Sequence, residues 1–312
     1  METACTRSVF ALVPVLLLQG CASGPAVEAR VETARRELPE TARSLPIHDG
    51  HDGLAMTWED AVARMTAADV VLIGERHNDG LAHAIQLAVL EAMIADEPAT
   101  AISLEMLERD EQWIADDYLD DIIDADKLAT LTHSTSWSGA GSWVAWYQPL
   151  IDAVKEADGV VVAANAPRRY VRLARTEGYE RLAEIPAPRA MLFEQPIDLD
   201  TGTYRERFDE VMTPPGKEVE TETLDATFRA QMLWDATMAD SIAKALQAGS
   251  PRVVHVVGQF HVEFDGGTVI ELRRRQPDAR IVTVTVESES NTMRDEDIGR
   301  ADILVFSGAA SE

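Results

Sequence analysis

The sequence predicts an α/β fold, a mainly parallel β-sheet flanked by helices. Two apolar runs carry most of that prediction. Asp69-Val70-Val71-Leu72-Ile73 leads into Gly74-Glu75-Arg76-His77, and Arg252-Val253-Val254-His255-Val256-Val257 leads into Gly258-Gln259-Phe260-His261. Both runs are short, β-branched and apolar on both alternations, the pattern of a strand buried on two faces inside a parallel sheet. The third observation is that such strands alternate with stretches of helical periodicity, which implies parallel pairing and right-handed crossovers.

Residues 1–20 read as a signal peptide. Arg7 gives a thin positive start, and Val9 to Leu18 is an apolar stretch too short to span a bilayer. Leu18-Gln19-Gly20-Cys21 closes it and resembles a bacterial lipobox, with Cys21 as the lipidated first residue of the mature chain. Residues 21–45 mix Gly, Pro, Glu and Arg without a sustained apolar face and read as a flexible tether, with a short helix over Val31–Leu38. Residues 46–312 then form one α/β domain.

Thr57 and Asp60 mark a capped helix start ahead of the first strand. Leu81, Ile85, Val89, Ala92 and Met93 share a helical face, so strand, Gly-x-x-His loop and helix make one βα unit. Further strands are expected at Thr100–Leu104, ending in Glu105, and at Gly159–Ala164, Arg189–Phe193, Ala279–Val286 and Ile303–Phe306. An acidic helix through Tyr118 and Leu119 follows Glu105, and others fit at Trp143–Glu156, Arg168–Glu177, Thr223–Gln247 and Thr268–Gln276. Pro196 to Val219 breaks periodicity and reads as a lid or insertion.

The chain carries 54 acidic against 28 basic residues, a net charge of −26, so no basic surplus exists to meet nucleic acid. Its only two cysteines, Cys5 and Cys21, precede the domain. Disulfides, thiolate metal sites and cysteine nucleophiles are thereby excluded from the fold.

In an open α/β sheet, ligands bind beyond the carboxyl ends of the strands, where the two Gly-x-x-His loops fall. Glu75 and His77, two apart on extended chain, project together, and His83 follows at the helix start. A carboxylate with two imidazoles suits a metal such as Zn, Mn or Fe, or an acid–base pair. Glu105 and His261 reach analogous strand ends. His255, flanked by valines, reads equally as a core histidine or a ligand, and His133 as surface or site. Asn165-Ala166-Pro167-Arg168-Arg169 places an amide at a strand end and arginines in a helix's first turn, where free N–H groups attract anions; Arg172 and Arg175 extend the basic patch. Trp137, Trp143, Trp146 and Tyr147 cluster as core or as the lining of a flat aromatic ligand.

Together, Val71 to His77 with His83 and Gln86, Leu104-Glu105-Met106, Asn165 to Arg168, Gln231 to Ala239, and Gly258-Gln259-Phe260-His261 resemble the ChaN-like haem-binding lipoproteins. That family is grouped with the Tiki proteases and erythromycin-esterase-like proteins. The resemblance implies a three-layer α/β sandwich, haem as the bound cofactor in iron uptake, and a homodimer with haem at its interface. The lipobox, which also suits such a lipoprotein, implies a cell-envelope location, with Cys21 anchoring the chain to a bacterial membrane, expected to be the outer membrane at its periplasmic face. Arg168 and Arg169 would meet the propionates. Tyr204, Tyr147 and His133 are candidate iron ligands by chemistry alone, and His83 and Asn165 complete the expected cofactor contacts. The wider group implies an alternative, hydrolysis by a metal-dependent or His/Glu mechanism. Glu75, His77, Glu105 and His261 would then be catalytic, with Glu75, His77 and His261 as ligands of a divalent metal ion. Family members commonly follow the first histidine with Asp, whereas this chain has Asn78 and then Asp79.

Overall fold

A computed structural model describes residues 40–135 and 137–308 of the chain. The expected signal peptide, Cys21, the helix expected over Val31–Leu38 and most of the expected tether lie outside the described residues. The strands are β1 Ile47–Asp49, β2 Ala55–Met56, β3 Val70–Glu75, β4 Ala101–Glu108, β5 Val161–Asn165, β6 Val253–Gly258, β7 Ile281–Glu287 and β8 Ile303–Phe306. They form one eight-stranded sheet in the order β2-β1-β8-β7-β3-β6-β4-β5. The six strands from β3 to β8 pair in parallel, as the alternation predicts. The hairpin β1/β2 adds an antiparallel edge against β8, in strands of three and two residues that are too short to show a period.

The helices are α1 Trp58–Thr66, α2 Gly80–Asp96, α3 Gln112–Leu119, α4 Ala125–Leu131, α5 Gln148–Glu156, α6 Arg168–Glu177, α7 Tyr179–Ala183, α8 Ala187–Ala190, α9 Thr203–Met212, α10 Thr221–Gln247 and α11 Gly267–Arg275. Thr57 caps α1, its hydroxyl accepting from Asp60 N–H at 3.1 Å, as the capping pattern predicts. On one face of the sheet Val71, Ile73, Ile102 and Val256 pack with Ile85, Leu90 and Met93 of α2 and Leu150 and Ile151 of α5. On the other, Val70, Leu72, Val253 and Val257 meet Met238 and Ile242 of α10 and Leu272 of α11. Burial on both faces explains why β3 and β6 carry no polar alternation. Each such side chain contributes about 1.5–3 kcal/mol relative to exposure.

The strand expected over Arg189–Phe193 is not one. Pro186 precedes the short helix α8, whose φ it favours, and Pro188 lacks an N–H for a sheet ladder. Phe193 instead packs on α6, its ring 4.9 Å from that of Tyr170. The Pro196–Val219 segment contains α9, which anchors through buried Tyr204 and Phe208. Among the described residues no helix is long and apolar enough to cross a membrane.

Candidate functional site

Register brings the two Gly-x-x-His loops together. β3 and β6 are neighbours in which Glu75 pairs with Gly258, and both loops leave from that level. From β4 on the other side of β6, Glu105 Oε2 accepts the Gly258 N–H at 2.7 Å. The His77 ring lies against Gly258, its Cε1 and Nε2 3.4 Å from where a Cβ would stand there.

The first half of the site is built around Glu75, which is almost fully buried. Its Oε1 accepts from His77 Nδ1 and from the Tyr147 hydroxyl, each at 2.7 Å. Its Oε2 accepts from Gln86 Nε2 and lies 3.3 Å from His83 Nδ1. Burial pushes the Glu75 carboxyl up, but the charge of His83 and the bond from His77 hold it below its ordinary value. His77 keeps 44% of its side chain exposed. Burial works against its charge, yet the bond to Glu75 and the charge of Glu105 raise it. Tyr147 reaches Glu75 because the chain makes one wide π-helical turn over Trp143–Tyr147. Pro149 has no N–H to continue the α ladder, and Gln148 N–H bonds Trp143 O instead. The same turn stacks Trp146 on His83, centroids 4.4 Å apart.

The second half is built on α10. His261 Nδ1 bonds Asp235 Oδ1 at 2.6 Å, and Asp235 also accepts from the Thr268 and Tyr204 hydroxyls at 2.7 and 2.8 Å. Burial alone would lower His261, but the charge and hydrogen bond of Asp235 override it and raise the imidazole to about 9. Glu105 Oε1 lies 3.8 Å from His261 Nε2. A Cβ on Gly267, at the start of α11, would overlap the Asp235 carboxylate and come within 2.6 Å of Tyr204 Cε1. Gly267→Ala is therefore expected to lower stability by about 3 kcal/mol, measured by urea unfolding; a loss below about 1 kcal/mol would show that the cluster yields easily.

Two clefts open beside these halves and meet at Gln231 and His261, which line both. One, of about 690 Å³, runs from Glu105 and Asn165 along the arginines of α6, with Trp137 and Trp234 in its walls. The other, of about 540 Å³, holds His77 and is walled by Phe208, Val211, Met212 and Phe260. Arg169 is paired with Asp110 at 2.6 Å, and Arg168 lies 4.8 Å over the Trp137 ring. Arg172 and Arg175, one and two turns further, are exposed and form no ion pair among the described residues.

The structure thus gathers Glu75, His77, Glu105, His261, Asn165 and Arg168 at one end of the sheet, and redistributes the other expected residues. His83 is buried, with Nδ1 on Gln86 and Glu75 and Nε2 on the His77 carbonyl, so it supports the site from behind. Tyr204 and Tyr147 are fully buried with their hydroxyls given to carboxylates, and so are not exposed iron ligands. His133, in a left-handed turn after α4, is exposed and lines neither cleft. The first turn of α6 does not wait for a ligand anion, since Arg168 N–H donates to Glu108 Oε1 at 3.2 Å. His255 is a core residue held by Ser103 at 2.9 Å, and burial lowers it to about 3. Glu75, His77 and His261 do not assemble as a metal site; among the described residues no group of three such donors could hold an ion. Sequence reasoning missed Asp235 as the partner of His261. Its signal was an acid inside the apolar run Met232 to Ala239, which requires a buried cation.

Fold and site define an α/β protein with adjoining clefts at the carboxyl ends of parallel strands, where open α/β sheets bind ligands. Residues 61–272 match the family described as haem-binding uptake, Tiki superfamily, ChaN, and the chain belongs to that family. Among solved structures it is similar to the ChaN of Campylobacter jejuni, described for cofacial haem binding. The match has 18% identity and a TM-score of 0.64 over 83% of this chain and 95% of that one, a likeness of fold. The type III effector HopBA1 matches at 9% identity and TM-score 0.48 over 85% of this chain and 97% of that one. An erythromycin esterase mutant in its open conformation matches at 11% identity and TM-score 0.42, covering 77% of this chain and 76% of that one. No curated protein matches the chain.

Proposed function

We propose that this chain is an envelope lipoprotein that takes up haem in the joined clefts, with the haem carboxylates toward Arg172 and Arg175. The observation that carries this reading is the inversion of charge. A chain of net charge −26 keeps two arginines without an ion pair along a cleft walled by Trp137, Val171, Ala230 and Trp234. Haem is flat and apolar with two carboxylates at one edge, so it needs apolar walls, cations at one end and a donor for iron. Imidazoles fixed by buried carboxylates supply such donors, and the residues present fit the group.

Titrating the purified chain with ferric haem tests the reading. A Soret band that shifts and saturates at a fixed ratio is expected, and the mass of the complex gives the oligomer, a homodimer on this reading. Absence of saturable binding at micromolar haem contradicts it. The alternative, acid–base hydrolysis at the same strand ends, is supported by Glu105 beside His261, and it requires no saturable porphyrin site.

The anchor is supported by Leu18-Gln19-Gly20-Cys21. Cys21→Ser is expected to move the chain from the membrane to the soluble fraction of cells. A variant that still sediments with membranes after an alkaline wash would remove lipidation from the account.

A further inference from the structure

We propose that His77 is the axial ligand of the haem iron, an assignment that rests on the haem reading above. An iron ligand in this chain must be a donor that is both free and lining the clefts. Iron is held in haem proteins by His, Cys, Met or Tyr. The cysteines, Cys5 and Cys21, precede the domain. Of the five tyrosines, Tyr118, Tyr147, Tyr179 and Tyr204 donate their hydroxyls to Asp152, Glu75, the Arg229 carbonyl and Asp235. The fifth, Tyr170, is buried, with the Arg169 guanidinium 4.7 Å from its ring centroid. Met212 lines the His77 cleft, but a thioether there has no group to orient it.

The seven histidines separate as sharply. His83 and His255 are buried, and His48, His51 and His133 line neither cleft. His261 has only 10% of its side chain exposed, with Glu105 3.8 Å from its Nε2. His77 is 44% exposed, and its Nε2 has no partner among the described residues. With Nδ1–H donated to Glu75, the neutral ring carries its lone pair on Nε2, which lies beside Gly258 in the cleft that His77 lines. Glu75 is in turn fixed by Tyr147, Gln86 and His83, an arrangement that sets the ring and strengthens it as a ligand. The cleft that the ring lines is walled by Phe208, Val211, Met212 and Phe260, an apolar wall of which Val211 is 63% exposed. An apolar wall left uncovered at Val211 and Met212, beside an oriented imidazole, is what a macrocycle ligated through His77 would cover.

The test compares ferric haem with metal-free protoporphyrin IX on the full chain, with resonance Raman of the reduced haem complex. The wild-type chain is expected to show an iron–histidine stretch. His77→Gly should lose that band and bind haem at least about tenfold more weakly, while its affinity for the metal-free porphyrin stays within about twofold. Added imidazole should restore the band. Glu75→Gln should keep haem but lower the stretching frequency, since an amide accepts more weakly than a carboxylate; a residue needed only for packing would not move that readout. A His77→Gly chain with the wild-type band and affinity overturns the assignment. So does a wild-type chain that binds both porphyrins without an iron–histidine band, and in that case the haem reading stands. A wild-type chain that binds neither porphyrin overturns both.

Discussion

Reversing the two unpaired arginines, Arg172→Glu with Arg175→Glu, is expected to weaken haem binding by about a hundredfold to ten-thousandfold. A hydrogen bond between charged groups is worth about 1.5–3 kcal/mol, and two are lost and replaced by repulsion. Metal-free protoporphyrin IX should lose affinity by the same factor, because these side chains meet carboxylates and not iron. Raising ionic strength should shrink the difference, as the arginines are exposed and their fields are screened within about 8 Å at physiological salt. Stability should hardly change, since neither side chain forms an ion pair among the described residues that folding could lose. Comparing equilibrium titrations of both porphyrins at two salt concentrations checks all of this. An unchanged affinity would remove the arginine cleft from the haem site.

Asp235→Asn is expected to cost about 3 kcal/mol at neutral pH. Asp235 is completely buried and serves His261, Thr268 and Tyr204 at once. The pH dependence carries the argument. The folded imidazole of His261 is raised from 6.5 to about 9, so its pairing contributes fully below pH 6.5 and fades as pH rises through about 9. At about 1.4 kcal/mol per pKa unit, that shift is worth about 3 kcal/mol. The gap between wild type and Asp235→Asn should therefore be widest near pH 6 and narrow by pH 10, seen by urea unfolding at each pH. A gap that does not change with pH would mean that His261 is neutral in the native state throughout.

The parts of this molecule that were legible in the sequence are those fixed by local pattern. β3 and β6 could be read because both their faces are buried, and the Thr57–Asp60 cap because its partners are three residues apart. The convergence of His77 and His261 could be anticipated from strand ends, since parallel neighbours level their carboxyl ends. The reading of Arg189–Phe193 failed because its apolar residues answer to α6, a tertiary neighbour, and not to a period of two. Glu75 could be picked out as a candidate, but not its burial under Tyr147, Gln86 and His83, which depends on a π-helical turn more than sixty residues away. Likewise, Arg172 and Arg175 stand out from the patch only once Asp110 is seen to pair with Arg169 and Glu108 with Arg168. Which charge in a patch remains unpaired is decided in three dimensions.

The central claim, that haem occupies the joined clefts between α6 and the Gly-x-x-His loops, is tested most directly by hydrogen exchange of the chain with and without saturating haem, mapped by mass spectrometry. The account predicts slowed exchange in α6, in the segment of α10 around Gln231, in α9 and in residues 258–261. Protection confined to the other large cleft, lined by Trp113, Val160 and Met191, with these segments unchanged, would contradict it.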